Sequence, residues 1–310
     1  MSLADVTCHV LTYPFPEDFV AWYPYIKPEV MRGDEHWLPC LRRVIHEDTP
    51  GVTDRMIAAR RASGDWCGVV WIQVPETCPE LAHFGWFYVE DEVRGAGVGA
   101  RIIETCLSTL AAEGVQMLML PTQLGNERAI GMYYRRGWRL SITDPDGGVW
   151  MVREPAGFWQ EYFTPDPNRP IRASEPQRSD WVALDYLLSR PAAAVRLLPL
   201  GLTGSRRFVS FTHDWDAGDH AVARQGGRPA ALAAARADDE GSLMDVFGLD
   251  RRAMAVAAEL LGRSIPQPRA EVAITDSVRR GALEDAGMRL ADVHEREVGG
   301  VPISLARYVR

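Results

Sequence analysis

Residues 84–114 read "FGWFYVEDEVRGAGVGARIIETCLSTLAAEG". An aromatic and β-branched run ends at Val89, three charges and a valine intervene, and Arg94-Gly95-Ala96-Gly97-Val98-Gly99 opens an amphipathic segment. Val98, Ile102, Ile103, Cys106, Leu107 and Leu110 recur at helical spacing, and Gly114 stands where a C-terminal cap belongs. The stretch is therefore strand, glycine turn, helix. A helix start exposes unpaired N–H groups and the positive end of its dipole, so an anion is stabilised there. Glycines before and within the first turn permit positive φ and remove Cβ atoms, which lets the backbone wrap a pyrophosphate. A flexible turn with no ligand is the plain alternative. A dinucleotide fingerprint is available on Gly95, Gly97 and Ala100, but "EDEV" separates it from a strand that belongs to a hairpin, and the next strand lacks the acidic ribose partner. A Walker loop is excluded because no Gly-Lys-Ser/Thr is present.

Outward from this stretch the elements fall in a definite order. "DWCGVVWIQV" (residues 65–74) and "LAHFGWFYV" (residues 81–89) flank a Pro-bracketed turn and predict an antiparallel hairpin. "VQMLMLP" (residues 115–121) predicts a short strand buried on both faces. "NERAIGMYYRRG" (residues 126–137) predicts a helix with Asn126 as N-cap and Gly137 as its stop, and a hairpin across Asp146-Gly147-Gly148 closes this half. Five prolines between residues 154 and 179 mark a linker, packed down by Phe158, Trp159, Tyr162 and Phe163. The order then returns. Residues 229–249 read as strand, acidic turn, strand; residues 250–262 as a helix ended by Gly262; residues 270–275 as a short buried strand. "RRGWRL" before "GGV" in the first half answers "DAGMRL" before "GGV" in the second, so two copies of one fold are expected.

The totals agree with two soluble domains: 310 residues, 46% hydrophobic and 25% charged. No apolar run has the length of a membrane span, and the first residues lack a basic-then-apolar leader, so a cytoplasmic location without membrane partners is expected. Five scattered cysteines, never spaced Cys-x-x-Cys, suggest neither disulfides nor a zinc site, and no metal is expected. The net charge of −8 argues against nucleic acid as a partner and suits a cationic small molecule.

With both motifs in place, residues 65–154 resemble the GNAT superfamily of N-acetyltransferases. The resemblance implies an α/β fold in which a mixed, largely antiparallel sheet, flanked by helices, splays open between its fourth and fifth strands. It also implies acetyl-CoA as co-substrate, lying in the gap with its pyrophosphate on the glycine turn. The cofactor contacts it implies are the backbone of Tyr88 and Val89, the turn Arg94, Gly95, Ala96, Gly97, Val98 and Gly99, and Asn126, for which a plain helix cap is the alternative. Acetyl transfer to an amine requires a neutral amine, a stabilised oxyanion and a proton for the departing thiolate. The family's tyrosine matches Tyr133, four residues before Gly137, with Tyr134 on another face and a core aromatic role as the alternative. The base is open among His83, Glu35, His36, Glu47, Asp48 and an ordered water; Glu90, Asp91 and Glu92 read as a solvated turn. The aromatic segment of residues 19–30 is either a lid over the core or the lining of a pocket for a flat or apolar acceptor.

The second copy departs from the pattern at both decisive places. Asp250-Arg251-Arg252 stands where the glycines belong, and Leu283 where the tyrosine belongs. A catalytic domain over residues 1–155, a Pro-rich linker over 156–178 and a degenerate GNAT-like domain over 179–310 are therefore expected. The last would serve structure, wall the acceptor site or form a homodimer. The expected activity is transfer of acetyl from CoA to a small-molecule amine by direct attack in a ternary complex. A non-catalytic acyl-CoA sensor or scaffold, and an acyltransferase acting on protein or peptide amines, are the alternatives.

Overall fold

The computed structural model describes residues 5–31, 38–143, 148–190, 220–298 and 300–310. Glu35 and His36, and most of the turn expected at residues 146–148, lie outside the described residues. The chain divides into two compact units, one of Met1–Leu140 with Gly147–Pro155 and one of Ser141–Asp146 with Ala156–Arg310.

The strands of the first sheet are β1 (Val6–Thr12), β2 (Val52–Arg61), β3 (Trp66–Pro75), β4 (Leu81–Val89), β5 (Met117–Gln123), β6 (Arg139–Thr143) and β7 (Gly148–Arg153). They form one seven-stranded sheet in the order β1-β2-β3-β4-β5-β7-β6. Pairing is antiparallel from β1 to β4 and between β5 and β7, and parallel between β4 and β5. Every residue of β3 is buried, as a strand covered on both faces must be. On one face α3 (Val98–Ala112) and α4 (Glu127–Tyr134) set Ile102, Ile103, Cys106 and Tyr133 against Val70, Ile72 and Phe84. On the other, α1 (Glu17–Trp22) and α2 (Leu38–His46) set Phe19, Leu41 and Ile45 against Met56, Val69 and Trp71. Residue alternation along each strand sorts the two cores, with Val70 and Ile72 to one side and Val69 and Trp71 to the other.

The second unit contains α5 (Phe158–Tyr162), β8 (Ile171–Ser174), α6 (Trp181–Leu188), β9 (His220–Gln225), β10 (Arg228–Asp238) and β11 (Gly241–Gly248). These are followed by α7 (Arg251–Ser264), β12 (Pro268–Ala273), α8 (Ser277–Asp285), β13 (Arg289–Val298) and β14 (Val301–Val309). Its sheet runs β8-β9-β10-β11-β12-β14-β13, the order of the first sheet strand for strand, with the parallel pair again between the fourth and fifth. The repeat seen in the residues is thus a repeat of topology.

Two local expectations change. The stretch expected as a linker belongs to the second unit: Ile171–Ser174 pairs with β9 as the edge strand, and Phe158, Tyr162 and Phe163 pack with Tyr186. Its prolines flank the strand or stand in the turns, where no ladder N–H is needed, so they do not interrupt it. Gly262 does not end its helix, which continues to Ser264; a Cβ there would lie 3.3 Å from Arg310 Nη1, the one tight approach, and at ordinary contact distance from Met244 and Pro268.

A buried ion pair stands where the second sheet opens. Asp245 follows the last parallel pair, Met244 with Ala270, and accepts from Arg279 Nη1 of α8 at 2.9 Å. Both side chains are almost wholly buried, and Arg279 also reaches Asp276 at 3.1 Å. Removing one partner strands a charge, whereas removing both does not. Arg279→Met is expected to destabilise the second unit by about 3–5 kcal/mol, and Asp245→Leu with Arg279→Leu by much less, as read by thermal unfolding. Desolvation pushes the Asp245 carboxyl up to about 6 although Arg279 pulls it down. The folded state therefore holds that proton more tightly than the unfolded chain, and the associated stability is full below pH about 4 and lost as pH rises through about 6. Asp245→Asn should remove that component of the pH dependence.

Candidate active site

The parallel ladder between β4 and β5 is short. It joins Leu81 to Met117, Ala82 to Leu118 and His83 to Met119, and beyond His83 the strands part into a wedge. A bulge lies just past the divergence: the β3 register shifts between Val69, opposite Tyr88, and Trp71, opposite Gly85, and Trp86 takes φ 50°. A non-glycine residue at positive φ is costly, and bulges re-aim the groups that follow them. After the bulge, the Glu90 N–H bonds Cys67 O on β3. Because a strand residue turns its N–H and C=O to the same side and its neighbour to the other, Val89 faces the wedge. Its carbonyl there accepts from Arg94 Nε at 2.9 Å.

The glycine turn closes the mouth of this wedge. Gly95 and Gly97 both take φ 88°, and Gly97 is the N-cap of α3, with no side chain to satisfy the first amides. Gly99 serves contact rather than conformation, since a Cβ there would sit 3.2 Å from Phe87 Cζ. Val98 is buried and anchors the turn, and Ala96 N–H is tied back to Val93 O at 3.3 Å. Arg94 spends its side chain on Val89 and Asp91. The free cation is a different residue: Arg128 of α4 holds Nη2 4.0 Å from the Cβ position of Gly95, is exposed, and forms no ion pair among the described residues. Spacing alone could not reveal Arg128, because α4 meets the turn only in three dimensions.

Tyr133 packs its ring on Phe84 and Trp138, with centroids 5.8 and 5.7 Å away, and is 5% exposed. Its hydroxyl makes no hydrogen bond to the described protein, and burial pushes its ionisation well above the usual phenol range. Tyr134 is 42% exposed. Asn126 is the N-cap residue of α4 but makes no side-chain cap bond, so its exposed amide remains available, and the plain-cap alternative loses its hydrogen bond. His83 lies on the opposite face from Tyr133, 2% exposed, at the last paired position of β4. Its ring lies over Gly85, whose Cβ would meet His83 Cε1 at 2.5 Å, so that glycine is what gives the imidazole room. In register beside it are Gln73 and then Asp54, both buried, with Gln73 Nε2 donating to Asp54 Oδ1 at 2.7 Å.

Other candidates are elsewhere. Glu47 and Asp48 are exposed at the end of α2, with Glu47 3.5 Å from Arg43. Glu90 is not a solvated turn residue: it accepts from Trp22 Nε1 at 2.9 Å and from Arg61 at 2.7 Å, pinning the aromatic segment to the end of β4. The burial of that segment divides by residue. Phe19 and Tyr23 are buried as a lid, while Trp22 and Tyr25 are half-buried against Tyr88 and Trp86.

The equivalent places in the second unit are filled. Asp250 caps α7 with its own carboxylate, accepting from Arg252 N at 2.8 Å, and Arg251 makes a bidentate pair with Asp285, both contacts 2.7 Å. Leu283 is fully buried.

Residues 16–138 match the model of the acetyltransferase (GNAT) family. The L-methionine sulfoximine/L-methionine sulfone acetyltransferases of Pseudomonas paraeruginosa and Pseudomonas aeruginosa are each 30% identical over 61 residues, 20% of this chain and 36% of each relative. The chain thus matches only about a third of those relatives' length. A GCN5-related N-acetyltransferase from Kribbella flavida is 15% identical, covering 50% of this chain and 100% of its own with a TM-score of 0.41. The paia N-acetyltransferase from Thermoplasma acidophilum, solved in complex with coenzyme A, is 13% identical over 47% of this chain and 99% of its own, with a TM-score of 0.35. The first unit therefore carries a match to the GNAT acetyltransferase family model, and the second unit repeats the strand order of the first sheet.

A family that uses acetyl-CoA needs a place for the pyrophosphate, and the turn fits one: two glycines at positive φ, an uncapped helix start and an unpaired guanidinium. Gly97→Asp would force a side chain into positive φ and put an anion at that helix start. Its CoA dissociation constant should rise about a hundredfold or more, against about threefold to tenfold for Arg128→Ala, with both variants folded. Calorimetry with CoA checks this.

Proposed function

We propose that this protein is an N-acetyltransferase that moves the acetyl group of acetyl-CoA onto the amine of a small molecule by direct attack in a ternary complex, in the cytoplasm. In this reading residues 1–155 are the catalytic domain and residues 179–310 a degenerate GNAT-like domain that binds no CoA. The observation that carries it is the conjunction of an open wedge between β4 and β5 with an uncapped glycine turn at its mouth, beside a second copy in which both places are occupied by the chain's own charges. The small-molecule acceptor is suggested by the named substrates of the Pseudomonas relatives and by the net charge of −8.

Each residue has a stated part. The amides of the turn and Arg128 of α4 hold the pyrophosphate, and Asn126 is free to meet the cofactor's arm. The Val89 N–H, aimed into the wedge, lies where the carbonyl oxygen gathers charge. The amine nitrogen bonds to the acyl carbon, the carbon–sulfur bond breaks, one proton leaves the nitrogen, and one reaches the sulfur. Tyr133 supplies the last, and its raised ionisation keeps the phenol protonated throughout the working range. His83 or an ordered water takes the proton from nitrogen; the imidazole's room over Gly85 is the argument for His83.

A screen of thiol release from acetyl-CoA against amines, hydrazines, amino acids, aminoglycosides and peptides tests the activity. With an active amine in hand, Tyr133→Phe should lower kcat by about 10²- to 10⁴-fold at unchanged CoA affinity, and Tyr134→Phe should not. Wild-type turnover in Tyr133→Phe would move the acid to another group.

A further inference from the structure

The second unit has a hollow on the face of its sheet away from α7. Met244, Ala270 and Ala306 pack toward that helix, and their strand neighbours Leu243, Arg269 and Arg307 turn the other way and line the hollow. Its volume is about 340 Å³, at the small end of the range for ligand sites, roughly 300–1,000 Å³. The floor is Leu243, which is buried and stands in register directly between Arg236 of β10 and Arg269 of β12. Neighbouring strands lie about 4.8 Å apart, so the two arginines rise roughly 10 Å from each other on either side of a shorter apolar side chain. This is the paired end of β11, before its ladder with β12 stops at Met244.

Most of the surrounding charges form one alternating chain. Arg307 donates to Glu240 at 2.8 Å, and Arg269 stands 3.7 Å from Glu240 and 3.9 Å from Glu271. Arg296 donates to Glu271 Oε2 at 3.4 Å, and His294 lies 3.7 Å from Glu271 and 3.2 Å from Asp292. The arginines and carboxylates of the chain cancel. Arg236 lies outside it: half-buried, it makes no ion pair or hydrogen bond among the described residues, so the lining carries one uncompensated positive charge. Glu271 is the matching acceptor. Its side chain is only 12% exposed, yet the two nitrogens that face its Oε1, His294 Nε2 and Arg269 Nη1, stand at 3.7 and 3.9 Å, beyond hydrogen-bond reach. Ion pairs that hold this unit together close further, as Arg251 with Asp285 at 2.7 Å and Arg279 with Asp245 at 2.9 Å do. Here the charges stand back around a space. A largely buried carboxylate oxygen without a donor is costly, so a donor from outside the chain belongs there.

We propose that this hollow is a binding site for a small 2-hydroxycarboxylate, with its carboxylate on the guanidinium fork of Arg236 and its hydroxyl donating to Glu271 Oε1. The charges decide the class. A phosphate group carries about −1.5 to −2 at neutral pH, more than one uncommitted arginine balances beside Glu240 and Glu271. An amino acid would press its ammonium against Arg269 and Arg296, which already flank Glu271, and its zwitterion would leave the charge of Arg236 uncompensated. A carboxylate without a hydroxyl leaves Glu271 Oε1 without its donor. Neither CoA nor acetyl transfer is needed for such a site, which lies within the second unit alone.

Lactate, propionate and alanine share a carbon skeleton and differ only at the second carbon, which makes them the probes. Nitrogen-15 NMR of the arginine Nε groups in the full chain should show the Arg236 resonance, identified by its loss in Arg236→Gln, moving saturably with lactate at a Kd of about 1 mM. Propionate should bind about tenfold more weakly, and alanine and inorganic phosphate should not compete at the same concentrations. Arg236→Lys, which keeps the charge and loses the fork, should weaken lactate several-fold. Glu271→Gln should bring lactate and propionate to nearly equal affinity, because the carboxylate that rewards the hydroxyl is gone. Tighter binding of phosphate or alanine than of lactate overturns the assigned class. A lactate preference that survives Glu271→Gln, or lactate affinity unchanged in Arg236→Lys, overturns the assigned contacts. No saturable response to any probe leaves the hollow to water and overturns the site.

Discussion

A parallel ladder that stops after three residues is the constraint on which both units depend. Parallel strands are stable where both faces are covered, and their backbone groups must find partners or water. Once β4 and β5 part, each loses a hydrogen-bonding neighbour inside a covered sheet. The fold cannot leave such an opening to chance, and the two units answer it differently. In the first it is bordered by aromatic rings and a re-aimed backbone, with polar groups turned inward. In the second, Asp245 and Arg279 bring matched charges into it.

The start of the following helix is subject to the same logic. Every helix begins with donors that lack acceptors. In α7 the acceptor is built in, as Asp250, and the nearby arginine is committed to Asp285. In α3 it is withheld: Gly97 has no side chain, Arg94 is turned away to Val89, and Arg128 is left with its charge uncommitted. An intramolecular cap and an external anion compete for the same amides, so one helix start cannot serve both. The difference between the two copies is one of satisfied against unsatisfied electrostatics on an unchanged topology.

That distinction decides what could be read from the residues. The glycine turn, the hairpin before it, the paired order of elements and the loss of both motifs in the second copy are local in sequence, and each was legible from periodicity and residue type. Tyr133 and Tyr134 could be separated because helical spacing puts them on different faces. What remained hidden was set by tertiary approach. Arg128 reaches Gly95 from another helix, and Glu90 joins Trp22 and Arg61 from a turn that by composition is simply acidic. The edge strand Ile171–Ser174 is four residues amid prolines, too short for alternation to register against them. Asp245 and Arg279 are 34 positions apart, and either alone reads as a surface charge.

Filling an opening from within and leaving it to a ligand have different energetic consequences. A buried ion pair contributes little net stability against a well-packed apolar alternative, but once present it penalises any state that separates its members. The second unit therefore fills its own opening from within, with no external group needed. The first unit leaves donors and a cation uncompensated, and a group that binds the folded state alone stabilises it by mass action, by about 2.7 kcal/mol at a hundred times its dissociation constant. On the acetyl-CoA reading proposed above, stability in that unit is linked to occupancy. Reversing the arrangement would need more than restoring glycines at positions 250–252, because Arg279 and Asp245 would still occupy the wedge and Leu283 would still lack a proton to give.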